Sequence, residues 1–241
     1  MPPPAEDVTV RRAATHAEYA EVVAIQRETW GADFTEVVPP AILMVAQKIG
    51  GVTAAAFAPD GRMLGFVFGL AGVKDGRAVH WSDMLAVRRE ARGLGIGPRL
   101  KAYQRELALA AGATRMYWTY DPLVARNAHV NLVKLGARAV EYVPDMYGAS
   151  TGSVLHEGIG TDRLVVEWEL QGGRGPRSVG REPVLVEIPS DVESLLASDP
   201  GEARAWRERT RAAFTRHLAD GYAVTGLVER DGRVFYELSR P

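Results

Sequence analysis

Residues 78–107 read A-V-H-W-S-D-M-L-A-V-R-R-E-A-R-G-L-G-I-G-P-R-L-K-A-Y-Q-R-E-L and change character about halfway along. The first part, 79–87, has the β-branched and aromatic content of a strand. From Ile96 onward the apolar residues recur at helical spacing. Three glycines lie at the junction: Gly93, Gly95 and Gly97. The stretch therefore predicts a strand that passes through a glycine-rich turn into a helix.

The glycine-rich turn has the properties of an anion site. Glycine has no Cβ, so the backbone can take positive φ angles and a ligand can approach the main chain closely. A helix that begins at such a turn adds unpaired amides and the positive end of its dipole. Pro98 fits this arrangement, because a missing N–H costs little in the first helical turn. We expect residues 92–97 to hold a phosphate group.

Two familiar phosphate-binding motifs do not describe this turn. A dinucleotide-binding fingerprint needs G-x-G-x-x-G and an acidic residue about 20 positions further on. Here the third glycine comes one residue early, and Thr114 and Arg115 stand in the expected acidic region. A Walker P-loop needs Gly-Lys-Ser or Gly-Lys-Thr, which the turn lacks. What remains is Arg-x-x-Gly-x-Gly behind a strand.

The composition is that of a globular protein without cysteine chemistry. Of the 241 residues, 46% are hydrophobic and 24% are charged, and none is cysteine. Disulfides, thiolate nucleophiles and cysteine-bound metals are therefore excluded. The five histidines are scattered, so no metal is expected. The net charge of -1 gives no general attraction to nucleic acid or to an anionic membrane.

The N-terminal sequence and the hydropathy pattern give an expectation about location. Residues 1–7 lack the basic start and the apolar run of a signal peptide. No segment approaches the roughly 18 consecutive apolar residues needed to span a membrane. We therefore expect a cytoplasmic protein.

Strand and helix patterns alternate along the chain. Predicted strands cover 8–13, 52–58, 63–70, 79–87, 115–120, 138–143, 164–170 and 184–188, and a hairpin covers 222–238. Predicted helices cover 16–30, 36–51, 96–112, 127–135 and 200–220. Thr15 and Glu18 form a capping box before the first helix, and the turn sequence Pro-Asp-Gly-Arg at 59–62 indicates a hairpin.

The chain divides into a large and a small part. We expect a disordered N-terminus at 1–7, a main domain at 8–170, a glycine- and arginine-rich linker at 171–182 and a C-terminal α/β appendage at 183–241. The appendage reads as a strand, a helix and a hairpin. Trp206 and Phe214 indicate that it docks on the main sheet or on a second subunit, so a homodimer is among the expected assemblies.

The motif Arg92-x-x-Gly95-x-Gly97 resembles the acyl-CoA motif of the GNAT superfamily, the Gcn5-related N-acyltransferases. The order of predicted elements over 8–170 is also similar to that family. The resemblance implies an α/β (α+β) fold, in which helices cover both faces of a mixed, mostly antiparallel sheet. It also implies acetyl-CoA or succinyl-CoA as the acyl donor, with no metal.

The resemblance assigns particular residues to the acyl donor. The main-chain amides of 92–97 would hold the CoA pyrophosphate, and Leu85 and Val87 would bond the pantetheine through their backbones. The expected donor-binding residues around the turn are Arg92, Gly93, Leu94, Gly95, Ile96, Gly97 and Arg99. The resemblance thus places the donor along the end of one strand and the start of the following helix.

A second motif of the family is only partly present. Aligned on Lys134 and Gly136, Ala128 matches the family pattern, but Leu132 stands where the family usually has its tyrosine general acid. Ala125 stands at the family's asparagine position, so Asn127 is expected to supply a CoA contact, and Asn131 is an alternative. The segments 118–123, 125–128, 147–148 and 160–163 resemble a branch that includes N-acyltransferases using succinyl-CoA on amino acids.

Acyl transfer to an amine needs a base that removes a proton and donors that stabilise an oxyanion. Asp83 lies on the motif strand among apolar neighbours, and burial there would raise its pKa toward a useful range. His80 is near a useful pKa already, and Asp121 follows the neighbouring strand. The backbone N–H of Leu85 is the expected oxyanion donor. For each side chain a structural role is the alternative.

The acceptor site is expected to include cationic and aromatic side chains. An amino-acid acceptor has a carboxylate that needs a cation, and Arg126, Arg163 and Lys134 are candidates. Tyr147 and Tyr142 are expected to line this pocket or to donate a proton. The apolar residues of the early helical region that would roof it are Trp30, Phe34 and Met44.

Three functions remain open at this point. The leading expectation is an acyl-CoA-dependent N-acyltransferase acting on a small amine. The missing tyrosine and the extra tail favour instead a non-catalytic CoA-binding sensor or interaction module. The third possible function is binding to nucleic acid, which the five arginines of the predicted helix 200–220 suggest. The acidic residues among these arginines favour a solvated face instead, so no nucleic-acid partner is expected.

Overall fold

The computed structural model describes residues 7–153, 158–172 and 183–240, which form ten strands and six α-helices. The strands are β1 Thr9–Arg12, β2 Val52–Phe57, β3 Met63–Lys74, β4 Arg77–Val87, β5 Arg115–Tyr120, β6 Arg138–Val143, β7 Arg163–Glu169, β8 Val184–Ile188, β9 Ala223–Arg230 and β10 Arg233–Ser239. The helices are α1 His16–Trp30, α2 Pro40–Lys48, α3 Ile96–Ala110, α4 Ala125–Ala128, α5 Val192–Ser198 and α6 Pro200–Ala219. Most of the predicted N-terminal tail and linker lies outside the described residues.

The chain forms two compact units that divide within β5. The first contains the described residues up to Tyr117, with Gly152 and Ser153. The second contains Trp118–Thr151 and the described residues from Gly158 onward. The predicted division into domains 8–170 and 183–241 stays a prediction.

The sheet of the first unit has the strand order β1-β2-β3-β4-β5. Successive strands from β1 to β4 pair antiparallel, and β4 pairs parallel with β5 over Val79–Trp81 and Arg115–Tyr117. The predicted turn at 59–62 joins β2 to β3, where Gly61 takes a φ of 86° and Asp60 accepts a hydrogen bond from the Arg62 amide. The predicted hairpin is therefore confirmed.

Helices cover both faces of this sheet, as predicted. One apolar cluster joins α1 and α2 to Ala55, Phe66 and Phe68 on one face. A second cluster joins α3 to Ala54 and Val67 on the other face. The alternation of neighbouring strand residues between the two clusters is the period of two that a sheet covered on both sides requires. Trp30, Phe34 and Met44, expected near the acceptor, belong to the first cluster.

The sheet of the second unit has the order β5-β7-β6-β9-β10-β8. β6 pairs antiparallel with β7 and with β9, so the C-terminal strands continue the sheet that β6 and β7 form. Phe214 of α6 is fully buried between the rings of Tyr142 and Tyr236, with centroids 5.4 and 5.2 Å away. These aromatic contacts fix α6 on this sheet.

Several predicted element boundaries are wrong. The second helix is α2, shorter than 36–51, because Pro39 and Pro40 set its start. The predicted helix 127–135 is instead the short α4 followed by a π-helical segment, His129–Lys134. α5 was not predicted from the sequence, although Asp191 caps it with its side chain. A seven-residue helix gives too few repeats for a clear apolar period.

Candidate functional site

The strand β4 changes register at Asp83. Phe68 pairs with Met84 and Gly69 pairs with Ser82, so Asp83 is an extra residue opposite β3. Such a β-bulge bends the strand and redirects the side chain at that position. Beyond the bulge, Leu85 and Val87, the residues predicted to bond pantetheine, pair with Val67 and Gly65. The bulge therefore lies at the start of the segment predicted to bind the acyl donor.

Arg88 anchors the turn that follows β4. Its guanidinium donates to Glu21 at 2.6 Å and to Glu28 at 2.9 and 3.0 Å, and both carboxylates belong to α1. It also donates to the Met63 carbonyl at 3.0 Å. A single 3-10 turn, Arg89–Ala91, follows. The start of the glycine-rich turn is thus tied to α1 and to β3.

Two of the three glycines of the turn have the positive φ that was expected of them, and Gly97 lies inside α3 instead. Gly93 and Gly95 have φ angles of 86° and 71°, in the left-handed region. A Cβ at either position would meet nothing within 4 Å, so the space above this backbone is open. Gly95 is also the N-cap of α3, and no side chain caps the helix there. The turn presents bare main chain to its surroundings.

The amides of this turn are free to bind a ligand. Within the described residues, the five N–H groups of 93–97 donate no hydrogen bond to any acceptor. Unpaired amides at a helix N-terminus carry partial positive charge, which attracts phosphate. The predicted phosphate cradle therefore has the geometry of an anion site.

The two arginines predicted to assist the cradle differ in position. Arg92 is exposed beside it, with Nε 3.5 Å from the Val87 carbonyl. Arg99 instead extends to β1, where Nη2 donates to the Val8 carbonyl at 2.5 Å. In this geometry only Arg92 has its charge exposed at the turn. The structure thus favours Arg92 over Arg99 as a phosphate contact.

Asp83 combines an exposed side chain with a raised pKa. Loss of hydration beside the surrounding protein raises the pKa of its carboxyl, and the negative charge of Glu36 adds to this effect. A hydrogen bond from the Trp81 side chain acts in the opposite direction. A carboxylate of raised pKa that remains accessible is a better proton acceptor than an ordinary surface aspartate. The side chain is less buried than expected, but the expected direction of its pKa shift, with loss of hydration as the cause, agrees with the structure.

His80 lies in the interior rather than at an accessible edge. Its side chain is 1% exposed, and Nε2 lies 3.1 Å from Nε2 of Gln104. Burial, together with the positive charge of Lys101, lowers its pKa to about 4. The imidazole is therefore neutral at physiological pH, and it packs between its own strand, β4, and the helix α3. This environment favours the structural alternative for His80.

The sequence analysis missed a buried polar cluster beside His80. Lys101 of α3 donates to Ser82 Oγ at 2.8 Å, and Ser82 donates to Gln104 Oε1 at 2.8 Å. Burial lowers the pKa of Lys101 to about 7. The signal was present, since Lys101 and Gln104 occupy the same helix face as buried Leu100 and Ala108. Polar residues on an apolar helix face usually need buried partners.

In the second unit, Asp121 is part of an ion pair rather than a free carboxylate. Oδ2 accepts a hydrogen bond of 2.6 Å from Arg207, and Oδ1 accepts one of 2.9 Å from the Leu123 amide. Arg163 approaches Oδ2 to 3.9 Å. Asp121 and Arg207 are each 4% exposed. The expected solvated arginine face of the last long helix is therefore wrong at Arg207.

A second buried acid lies near Tyr142 and Arg211. Asp162 accepts hydrogen bonds from both side chains and from the Asp145 amide. These contacts outweigh burial and hold the pKa of Asp162 below its ordinary value. Burial and the same carboxylate raise the pKa of Tyr142. The Tyr142 hydroxyl thus donates to Asp162, and this hydrogen bond makes it poorly suited to deliver a proton to a substrate.

Arg163 and Tyr147, two predicted acceptor residues, lie together. The Arg163 guanidinium is 5.3 Å from the centre of the Tyr147 ring, and the Tyr147 hydroxyl is 3.1 Å from Thr119 Oγ1. Arg163 is 6% exposed, and burial lowers its pKa. Arg126 lies apart from this pair, exposed and 3.8 Å from Glu193. Of the three predicted cations, Arg163 is therefore buried beside Tyr147, whereas Arg126 and Lys134 are exposed.

The segment of the second family motif has a mainly structural set of contacts. Trp118 donates to Asn131 Oδ1 at 3.1 Å, so Asn131 is engaged in the interior. Leu132, at the usual tyrosine position, is 5% exposed. Asn127 is exposed, as a CoA contact requires, and so is Lys134. Asn131, Leu132 and Lys134 lie in the π-helical segment, whereas Asn127 lies in α4.

Comparison with known proteins supports the fold. No family model matches the sequence, and no curated protein does. Among solved structures, a GNAT superfamily phosphinothricin acetyltransferase from Sinorhizobium meliloti, in complex with acetyl-CoA, is 19% identical with a TM-score of 0.53, covering 72% of this chain and 95% of its own. The protein yncA from Salmonella typhimurium, solved with acetyl-CoA, is 18% identical with a TM-score of 0.52, covering 71% and 98%.

A GNAT family acetyltransferase from Streptococcus pneumoniae is similar at 20% identity and a TM-score of 0.52, covering 67% of this chain and 99% of its own. At these identities the likeness concerns the fold alone. The chain has a GNAT-like fold, with a mixed, mostly antiparallel sheet and six helices in its described residues. The predicted fold class is confirmed.

The described residues contain no group of three or more side chains suited to hold a metal ion. None of the helices in the described part of the chain is both long enough and apolar enough to cross a membrane.

Proposed function

We propose that the chain is an acyl-CoA-dependent N-acyltransferase that moves an acetyl or succinyl group to the amine of a small molecule. The observation that carries this proposal is the cradle of five unengaged amides at 93–97, at the end of a bulged strand in a GNAT-like fold. A Cβ would have open space at Gly93 and Gly95, so a bulky anion can reach the main chain. The residues present therefore fit a CoA pyrophosphate.

The chemistry assigned to this chain is simple. The thioester supplies an activated acyl carbonyl. A neutral amine forms the new C–N bond at that carbonyl, the C–S bond breaks, and the amine gives up one proton while the leaving sulfur gains one. Asp83 is the proposed acceptor of the amine proton, because its carboxylate is exposed and its pKa is raised. The backbone N–H of Leu85 is the proposed oxyanion donor.

The other site assignments remain proposals of different weight. Arg92 is proposed as the phosphate contact beside the cradle, and Asn127 as a further CoA contact. Arg163 and Tyr147 are proposed to bind the acceptor, for which an amino acid is one candidate. His80 and Asp121 are less suited to catalysis, since both are buried and held by other side chains. The cytoplasmic location and the homodimer stay predictions, of which light scattering tests the second.

Two measurements test the proposal. Titration calorimetry with CoA should show saturable binding, and a thiol-release assay with acetyl-CoA and succinyl-CoA against a panel of amines should show turnover. Absence of CoA binding by the folded protein would contradict the proposal. Binding without turnover on any amine would favour the second candidate, a CoA-binding module without catalysis. The buried Leu132 at the usual tyrosine position supports this second candidate.

A further inference from the structure

The side chains of β4 that face α3 have even residue numbers before Asp83 and odd residue numbers after it. Before the bulge, His80 and Ser82 contact the polar residues of α3. After it, Leu85 and Val87 pack in the apolar cluster that contains α3. Even-numbered residues therefore face α3 on one side of Asp83, and odd-numbered residues face it on the other. A strand has a side-chain period of two, so this change requires the one-residue bulge.

A buried polar network crosses between strands at this point. We define the Lys101 network as Lys101, Ser82, Gln104 and His80. Gln104 donates to the Phe68 carbonyl at 3.3 Å while it contacts His80 at 3.1 Å and Ser82 at 2.8 Å. Phe68 is the last β3 residue paired before the register changes. The network thus holds the strand backbone on one side of the change and the β4 side chains on the other.

The packing at Gly69 shows how closely the network fits. A Cβ at Gly69 would lie 2.3 Å from His80 Nε2, 2.7 Å from Gln104 Nε2 and 2.6 Å from the Trp81 carbonyl. No real side chain can occupy that space. Gly69 pairs with Ser82, directly beside the bulge. The network therefore occupies a site that the strand leaves open only because this residue is glycine.

The burial of the Lys101 side chain costs free energy, because its charged group loses hydration. Lys101 is 8% exposed, and its ammonium group donates to Ser82 Oγ at 2.8 Å. An apolar residue of similar volume would fill the same position at a lower free-energy cost. Buried polar groups are best attested where they specify register, and the register of β4 is what changes here. The arrangement points to a role in placing the strand rather than in stabilising the domain.

We propose that Lys101, through Ser82 and Gln104, is a positioning residue that fixes the β4 bulge at Asp83 for acyl transfer. The inference rests on the proposed function, in which Asp83 accepts a proton and the next segment binds the donor. Before the bulge, the network fixes which residues of β4 face α3, and after the bulge the apolar cluster fixes them. Because the orientation is fixed on both sides, the strand keeps its extra residue at Asp83.

The test compares Lys101→Met with Lys48→Met, which alters an exposed lysine of α2. Hydrogen exchange of the amides of 82–85 reports whether the bulge stays fixed. We expect about tenfold faster exchange there in Lys101→Met and no change in Lys48→Met. A carbon-13 titration of the Asp83 carboxyl should show a shifted midpoint in Lys101→Met alone, and turnover should fall while CoA affinity stays the same.

Unchanged exchange at 82–85 together with an unchanged Asp83 titration, in folded Lys101→Met, would overturn the inference. If that variant does not fold, Ser82→Ala removes only the hydroxyl that accepts from Lys101, and the same two results decide. Both measurements need no acyl donor. A failure of the proposed function, seen as absent CoA binding in the unaltered protein, is therefore distinguishable from a failure of this inference.

Discussion

Arg207 Nη2 donates a 2.6 Å hydrogen bond to Asp121 Oδ2 across 86 residues of sequence, and both side chains are buried. Arg207 Nε also donates to the Ile159 carbonyl at 2.9 Å, while Nη1 has no partner among the described residues. The pair joins α6 to the segment that follows β5. A C-terminal helix thereby neutralises an acidic residue that the sequence analysis had considered for catalysis.

Breaking this pair should destabilise the fold strongly. Arg207→Met removes the 2.6 Å donor of the buried Asp121 carboxylate and leaves Arg163 at 3.9 Å, and we expect a loss of about 3–5 kcal/mol in the free energy of unfolding. Urea denaturation measures it. Arg209→Met is the matched control, because Arg209 pairs with Glu202 at the surface and should change stability by less than about 1 kcal/mol. Similar effects of the two variants would show that the buried pair has no special weight.

Gly95→Glu should abolish CoA binding. The side chain and its negative charge would enter the open space above the free amides, where the pyrophosphate is proposed to lie. Gly112→Glu is the control, since Gly112 also has a positive φ and open space but follows the opposite end of α3. Calorimetric titration with CoA should separate the two. Normal affinity in folded Gly95→Glu would place the phosphate site elsewhere.

Asp83→Asn should reduce turnover without weakening CoA binding. The amide cannot accept the amine proton, and removal of a general base typically lowers kcat by about 100-fold or more. Because the pKa of Asp83 is raised, the acidic limb of the kcat–pH profile should lie above the range of an ordinary aspartate and disappear in the variant. A pH profile that keeps this limb in Asp83→Asn would exclude Asp83 as the base.

Mild acid should destabilise the protein through His80. Its pKa in the folded state is about 4, below the ordinary value of 6.5, so the unfolded chain binds more protons between these values. Stability present above pH 6.5 is therefore lost as the pH falls toward 4, by about 3 kcal/mol in total. Urea denaturation between pH 7.5 and 4 measures the loss. His80→Gln should flatten this part of the profile; an equally steep profile would assign the effect to other groups.

Gly69→Ala should destabilise the first unit. The added Cβ would overlap the Trp81 carbonyl, His80 and Gln104, and overpacking of this kind costs about 1–3 kcal/mol. Gly72→Ala, on the same strand, meets only Val79 at 3.9 Å and should change stability by no more than about 0.5 kcal/mol. Equal melting temperatures for the two variants would contradict the close fit of the Lys101 network.

Much of the fold could be predicted because local signals were strong. The capping box at Thr15 and Glu18 is present, with Glu18 accepting from the Thr15 amide. α3 begins at Ile96, where the apolar period starts, and Gly95 directly before it takes the left-handed conformation. These features depend on a few neighbouring residues. By contrast, α5 and the π-helical segment give too short a pattern for periodicity to detect.

The candidate site divides in the same way. The sequence by itself predicted the glycine-rich turn, since Gly93 and Gly95 permit the left-handed backbone conformation that they adopt before α3. Only the tertiary structure decided the state of the titratable residues. Asp121 accepts a hydrogen bond from Arg207, and His80 is buried against Gln104, because residues distant in sequence pack against them. Burial and ion pairing depend on such distant neighbours, which local pattern does not specify.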